Sequence, residues 1–568
     1  MKKLLYKLKR YLSLDGFSVA PVYIQIAILI LISLTIVSVY SLYYGSFSES
    51  YFTFMDPTNI PDKNILIVLI EILAGLIIAS FVISILSSAL ENFILEIKKG
   101  SLPFKHSNHI VFFNVNEKIF HILSELNEKF SDLEKIQEVV IILKTPEEVE
   151  EFLNNINFNE YPYLSIFVKY GNHLENETFD KFNLKNSKSI TLLKTEEDFE
   201  ADNELLKIYA ALLESDIDFN KVNLVIEGNS TFNIDEIYCK LKKVKNFYNI
   251  SYIDTKKFLA KLLTRTMIDV TYYKIYEEIF SFDGYELYIK TAKELKLNNI
   301  TYKDAYLKFK DAILIGLKQN NKIILNEPTT IINSDDEVIL IAQNEENIYI
   351  SENKLSISPI NIPQPSEMVY KKVCMLGDNL KIDNILEFLD EKGKKDFKNF
   401  KFDSFEKYLD KNFIQHVKDE NFESIIINLT EEETIRYILY IMTLFNKNDE
   451  FVKNTISIVT NPENAKIIEK ITGNNNIILS QRLSAKFISQ LIFETELIDI
   501  IYELVSVEGS EFNIIENNFK NLSIEELKLQ LLHNEMTFIG LKENDEVIIN
   551  GNDLQNATHI LVLAKGEI

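Results

Sequence analysis

Cysteine is almost absent from the 568-residue sequence: there are two, Cys239 and Cys374, far apart and each in an apolar setting. No disulfide framework can be built from them, and a reducing compartment is expected. Glycine is missing where a dinucleotide would need it. The first strand–helix turns of two α/β-patterned stretches read "FFNVNEKIF" and "MLGDNLKID". Neither carries the G-x-G-x-x-G that lets backbone approach a pyrophosphate at a helix N-terminus. NAD or ATP is therefore not an expected ligand. No His/Cys cluster with metal-ligand spacing, nucleophile elbow or P-loop occurs either, so the chain is not expected to be an enzyme. His106 and His109 flank an apolar strand and read as junction residues rather than ligands. Positive charge is also short: 60 Lys and Arg stand against 84 Asp and Glu, a net charge of −24. That excludes the basic face a nucleic-acid partner favours. It suits a solvated surface, or a body that concentrates cations.

What the chain does contain is two membrane-length apolar runs. Val22 to Tyr44 carries no charge, and Ile65 to Leu90 carries one, Glu71. At about 1.5 Å per residue the first run is roughly 35 Å long as a helix, enough for a bilayer core of about 30 Å. It is too long for the apolar core of a cleaved signal peptide. Basic residues precede the first run (Lys2, Lys3, Lys7, Lys9, Arg10) and follow the second (Lys98, Lys99, Lys105). Both termini are therefore placed in the cytoplasm and the intervening loop outside, in a multi-pass protein of the cell membrane. The roughly 460 residues that follow suffice for two to four domains.

That body repeats itself. "AILIGLKQNNKIILNEPTTIINSDDEVILIA" (Ala312 to Ala342) has a partner in "MTFIGLKENDEVIINGNDLQNATHILVLA" (Met536 to Ala564), and "FLAKLLTRT" (from Phe258) in "LSAKFISQL" (from Leu483). Short apolar runs alternate with helical patterns upstream of each, beginning at "HIVFFN" and at "KVCMLG". Runs too short for buried helices and bounded by turn residues read as buried parallel strands. The fold class is thus a helical membrane module followed by two Rossmann-like α/β domains, each with a small α+β C-terminal subdomain. "SISPINIPQPSEM" (Ser356 to Met368) is the linker between the copies.

Between the two spans lies "GSFSESYFTFMDPTNIPDKN". Its "TFMDPTN", together with "ALENFILEIKKG", "HSNHIVFF", "YYKIYEEIFSFDGYELYI", "DEVILIA" and "ELVSVEGSEFNII", resembles the Castor/Pollux ion channels, in a prokaryotic homologue. The likeness runs from about Ser46 to the end. Asp56, Pro57 and Asn59 match the family's filter motif, whereas Thr58 and Ile60 replace a glycine and a histidine. The resemblance implies tandem RCK (regulator of K+ conductance) domains forming a cytoplasmic gating ring. It divides the chain into a cytoplasmic segment (1–21), a span (22–44), a pore helix and filter loop (45–64) and an inner span (65–97). A linker (98–106), a first RCK domain (107–352), a second linker (353–369) and a second RCK domain (370–568) follow.

A re-entrant helix ending at Asp56 is physically admissible, because irregular backbone is tolerated at membrane depth where it lines water. Pro57 disfavours helix at the residue before it. In a homotetramer four Asp56 carboxylates would ring the axis, and acidic rings select cations. No TVGYG-like carbonyl filter is present. The expected filter residues are Asp56, Pro57, Thr58 and Asn59. On the inner helix Glu71 and Gly75 are the pore or gate candidates. A mid-span charge must face protein or water, so Glu71 either lines the pore or hydrogen-bonds to a neighbouring helix. Gly75 would permit a bend or close packing. The expected function is a ligand-gated cation channel, permeable to Ca2+ or weakly selective, with Ca2+ as regulatory ion. Its partners would be its own copies, the bilayer and permeant cations. The alternatives are a K+-selective RCK channel and, from another class, a membrane-anchored dinucleotide-dependent redox sensor or enzyme.

Overall fold

The computed structural model describes residues 17, 20–56, 58, 60–98, 100–195, 199–228, 234–320, 322–351, 362, 372–379, 385–389, 391–474, 476–505, 510–544 and 546–565. It divides into two compact units, Met1–Leu102 and Pro103–Ile568. In the first, helices Val22–Tyr44 and Ile65–Lys98 flank a short helix, Phe47–Met55. The long helices contain segments of 23 and 27 residues with mean hydropathy 2.5 and 2.9, long and apolar enough to cross a membrane. Most of their large apolar side chains are exposed, among them Leu31, Leu42, Leu66 and Ile83. In water such a surface would be an aggregation hazard; against lipid it is the expected one. The short helix starts at Ser46, whose hydroxyl accepts the Glu49 amide, a side-chain cap for an otherwise orphan donor. It ends at Asp56, already extended at φ −125° and ψ 105°.

The second unit opens with six parallel strands: β1 (Ile110–Phe113), β2 (Gln137–Leu143), β3 (Leu164–Tyr170), β4 (Ser189–Leu192), β5 (Asn223–Gly228) and β6 (Ile250–Asp254). Their order is β3-β2-β1-β4-β5-β6, the doubly wound arrangement with its switch point between β1 and β4. All four residues of β1 are buried, because helices cover both faces of the sheet. Helices Thr255–Thr266 and Thr271–Ile279 lead into β7 (Glu286–Thr291). Next come β8 (Ile300–Thr301), β9 (Ala312–Gln319), β10 (Lys322–Leu325), β11 (Ile331–Ile332) and β12 (Glu337–Ala342). An antiparallel sheet of order β10-β9-β12-β7 results, and β8 pairs β11 apart from it.

The second half repeats the plan with one strand fewer. β13 (Val373–Leu376), β14 (Phe397–Phe400), β15 (Ser424–Ile427), β16 (Thr455–Val459) and β17 (Ile477–Leu479) form a parallel sheet of order β14-β13-β15-β16-β17. Helices Ser480–Phe493 and Leu497–Leu504 then lead to β18 (Ser510–Glu516), β19 (Met536–Glu543), β20 (Glu546–Ile549) and β21 (His559–Lys565). Their order, β18-β21-β19-β20, reproduces β7-β12-β9-β10 strand for strand. The repeat extends to a defect. Pairing slips by one residue at Ile315 and again at Ile539, the isoleucine of each "IGLK". A β-bulge of this kind bends the strand and tightens its twist. The glycine that follows, Gly316 or Gly540, lets the hairpin partner close in. A Cβ there would lie 2.8 Å from the Ile324 carbonyl oxygen or 2.3 Å from that of Ile548.

Alternation along the strands sorts the cores. Ile110 and Phe112 of β1 and Val373 and Met375 of β13 enter one continuous core, which also takes Phe258, Phe487 and Phe512. Val111 and Phe113 face a second core, and Cys374 and Leu376 a third. The two copies therefore share a core across the helices that follow their parallel sheets. Most of the expected linker, residues 353–369, lies outside the described residues. Of the two cysteines, Cys374 is buried and free, and the Cys239 side chain lies outside the described set.

Candidate functional site

In the membrane unit the short helix Phe47–Met55 seats on the long helix Ile65–Lys98 at two points one turn apart on each. The Ser50 hydroxyl lies 2.5 Å from Glu71 Oε1 and 3.0 Å from the Val37 carbonyl. Ser50 and Glu71 are both 0% exposed. Of the two placements open to Glu71, the hydrogen bond to a neighbouring helix is the one seen within the protomer. One turn on, Gly75 abuts the backbone of Phe54. A Cβ at Gly75 would sit 2.1 Å from the Phe54 carbonyl oxygen. No side chain fits between two helix backbones at that distance, so Gly75 is a close-approach glycine.

Two residues beyond Phe54, the Asp56 carboxylate is exposed and accepts two hydrogen bonds from Thr58, 2.9 Å from the amide and 2.6 Å from the hydroxyl. This local turn is typical of aspartate. The Thr58 hydroxyl and amide hold the Asp56 carboxyl below the ordinary range of an aspartate, since they favour its charged form. Thr58, which stands where the family pattern has glycine, thus contributes a donor that glycine lacks. Pro57 and Asn59, the other expected filter residues, lie outside the described residues.

In the first copy the chain's own side chains meet at the dinucleotide switch point. At the β1–β4 switch point Asn116 Nδ2 donates to the Lys194 carbonyl at 2.9 Å and to Glu227 Oε2 at 2.8 Å. The Lys194 amide donates to the same carboxylate at 3.2 Å, and Lys118 Nζ reaches its other oxygen at 2.7 Å. Glu227 is 2% exposed. A buried, paired carboxylate thus meets the first turn after β1, where the Rossmann pattern would present free backbone amides. In the second copy Gly377 takes φ +95°, but a Cβ there would meet the Asn428 carbonyl oxygen at 2.4 Å. This glycine serves the approach of β15 rather than of a phosphate. Sequence reading found the missing glycines but not the replacement, because Asn116 and Glu227 are 111 residues apart and share no periodic signal.

Between the copies, Phe258 and Phe487, one from each of the two aligned helical blocks, stack with ring centroids 4.6 Å apart. The Tyr276 hydroxyl donates to the Leu504 carbonyl at 3.0 Å and the Ser424 hydroxyl to that of Met267 at 2.8 Å. Arg265 and Glu511 form an ion pair with both side chains buried. Burial pushes the Lys486 ammonium down and the Glu125 carboxyl up from their ordinary values. Two clefts flank this seam, of about 640 and 590 Å³. Tyr252, Lys257 and Tyr502 line the first, and Tyr273, Arg482 and Glu469 the second. Among the described residues no group of three or more His, Cys, Asp or Glu side chains is arranged to hold a metal. A Ca2+ site in this body would draw on main-chain and amide oxygens as well, which Ca2+ accepts. His109, fully buried, sets its Nε2 3.1 Å from the Phe182 carbonyl. His106 pairs with Glu138.

Comparison with known proteins agrees with this geometry. Residues 256–358 match the family model described as Castor and Pollux, part of voltage-gated ion channel. The "Probable ion channel POLLUX" of Arabidopsis thaliana is 22% identical over 321 residues, 56% of this chain and 38% of that protein. The "Ion channel CASTOR" of Lotus japonicus is 21% identical over 309 residues, 52% of this chain and 34% of that protein. The matches thus span well under half the length of these relatives. Among solved structures, the human SLO3 gating ring aligns with 81% of this chain and 100% of its own, at a TM-score of 0.56 and 11% identity. That likeness places the body in the gating-ring fold. The GsuK channel bound to NAD aligns at a TM-score of 0.43, too distant to bear on the ligand of this chain.

Proposed function

We propose that this chain is a homotetrameric cation channel of the Castor/Pollux kind, not an enzyme, gated by a ring of its paired cytoplasmic domains. The observation that carries the reading is the exposed Asp56 carboxylate, held by the Thr58 amide and hydroxyl at the end of a capped short helix between two membrane-length helices. Four such carboxylates around an axis would attract cations and favour divalent ones, which feel twice the field. Both termini lie in the cytoplasm in this reading, by the distribution of Lys and Arg around the spans. Ca2+ is the regulatory ion we favour over NAD or ATP. The support is the acidic excess of the chain and the buried Glu227 carboxylate at the switch point of the first copy. A ligand bound between lobes shifts the ring only by its differential affinity for two arrangements, and the segment 91–105 would carry that shift to the inner helix.

The test is the reversal potential of the reconstituted protein in opposed K+ and Ca2+ gradients, for wild type, Asp56→Asn and Asp62→Asn. Asp56→Asn keeps shape and removes four charges from the ring, and should lower Ca2+ relative to K+ permeation by at least about tenfold. Asp62, further along the loop, is screened by solvent and serves as the control. A K+-selective wild type, or wild-type selectivity in both variants, would refute the acidic-ring reading.

A further inference from the structure

The two-point seat between the short helix and the inner helix has no slack. At one point a buried hydroxyl lies 2.5 Å from a buried carboxylate. At the other, two backbones meet so closely that even a methyl group would fall 2.1 Å from a carbonyl oxygen. Ser50 and Phe54 lie one turn apart on the short helix, as do Glu71 and Gly75 on the long one, so the contacts stack along a single line. Two stacked contacts resist both rotation and sliding of one helix against the other, whereas one contact would act as a pivot. The short helix ends at Met55, one residue after Phe54, and the Asp56 amide that follows is still bonded to the Phe52 carbonyl. Any displacement of the inner helix at Glu71–Gly75 is therefore handed to Asp56 through a rigid turn.

We propose that Glu71 is a positioning residue for the selectivity ring. Through Ser50, and with Gly75 as the second seat, it sets where the Asp56 carboxylate stands and passes inner-helix movement to it. This rests on the reading of Asp56 as the selective group. Glu71 acts here by its hydrogen bond and not by charge in the conduction path, which agrees with its complete enclosure within the protomer. The role differs from a pore-lining acid in a way that can be measured. A pore-lining Glu71 would lose its effect when neutralised, whereas a positioning Glu71 needs only an oxygen for Ser50.

The experiment uses the full-length channel in planar bilayers with K+ and Ca2+ as the probe ions, and reads the Ca2+-to-K+ permeability ratio. Ser50→Ala and Glu71→Met should each lower the ratio about two- to tenfold, the factor that one net hydrogen bond carries. Glu71→Gln, which keeps the acceptor oxygen, should recover what Glu71→Met loses. Gly75→Ala should lower the ratio as well, because its methyl must push Phe54 away. In an Asp56→Asn background neither Ser50→Ala nor Glu71→Met should change the ratio further, since both act through Asp56. Loss of the ratio in Glu71→Gln equal to that in Glu71→Met would overturn the proposal in favour of a charge effect. So would additive losses in the Asp56→Asn background, or a silent Ser50→Ala. If Asp56→Asn itself left the ratio unchanged, the acidic-ring reading would fail. If Asp56→Asn shifted it and Ser50→Ala did not, only the present inference would.

Discussion

Replacing Arg265 with methionine tests whether the two copies are held together as the structure has them. Arg265, 1% exposed on helix Thr255–Thr266 of the first copy, is paired with Glu511, 6% exposed on β18 of the second. The equivalent positions across the repeat break this symmetry. Gln490 stands where Arg265 does and donates to the Ile279 carbonyl at 3.3 Å. Glu286, which faces Ala342 as Glu511 faces Ala564, is paired with Lys129 instead. Only one of the two equivalent contacts is ionic across the copies. Removing one member of a buried pair leaves an uncompensated charge, at a cost of about 3–5 kcal/mol. Replacing both by apolar groups of similar volume is often neutral, or stabilising by about 1–4 kcal/mol. Arg265→Met should therefore destabilise by about 3–5 kcal/mol, and Arg265→Met/Glu511→Leu should return to wild type or above it. The chain has no tryptophan, so urea unfolding of the detergent-solubilised protein is best followed by far-ultraviolet circular dichroism. Midpoint and slope then separate lost stability from a changed denatured state. A double variant as unstable as Arg265→Met, or a single variant within about 0.5 kcal/mol of wild type, would show that the pair does not stabilise the seam.

Gly540→Ala should destabilise by about 1–3 kcal/mol in the same assay, because the new methyl meets the Ile548 carbonyl oxygen and the Ile549 Cα and strained packing costs that much. Gly316→Ala should cost less, since part of its clash is with the mobile end of the Leu325 side chain; equal costs would contradict the bulge geometry. His109 and His173 both have pKa values pushed down to about 4, chiefly by burial. The unfolded state therefore binds protons that the native state refuses as pH falls from about 6.5 to 4, and stability drops through that window by up to about 3 kcal/mol per histidine. His173→Phe should flatten the acid side of the melting profile, and an unchanged slope would show that His173 is protonated in the folded protein. Millimolar Ca2+ should raise the melting temperature, while NAD and ATP should leave it unchanged because the buried Glu227 carboxylate, bonded to Asn116 and Lys118, meets the turn that would bind a phosphate. A strong rise with NAD and none with Ca2+ would reverse the choice of ligand.

Much of this protein was legible before folding, for a physical reason in each case. Two apolar runs of bilayer length, one uncharged and one with Glu71 as its single charge, declare membrane-length helices because composition alone sets transfer free energy. The strands of both parallel sheets declare themselves because a sheet buried on both faces needs unbroken apolar runs. "IGLK" announced the repeat because a bulge followed by a close-approach glycine is a local requirement, written the same way in both copies. The end of the short helix at Asp56 was legible from the proline that follows it, which is likewise local. Tertiary structure alone decided the rest. Mid-span placement required Glu71 to have a partner but could not name Ser50, and Gly75 was compatible with a bend until the Phe54 backbone was found against it. The missing glycines were legible in the sequence, yet only the fold brought Asn116, Lys118, Lys194 and Glu227 together at the switch point. Such contacts join residues tens to hundreds of positions apart that follow no common period. They become fixed only when the strands and helices that carry them are packed.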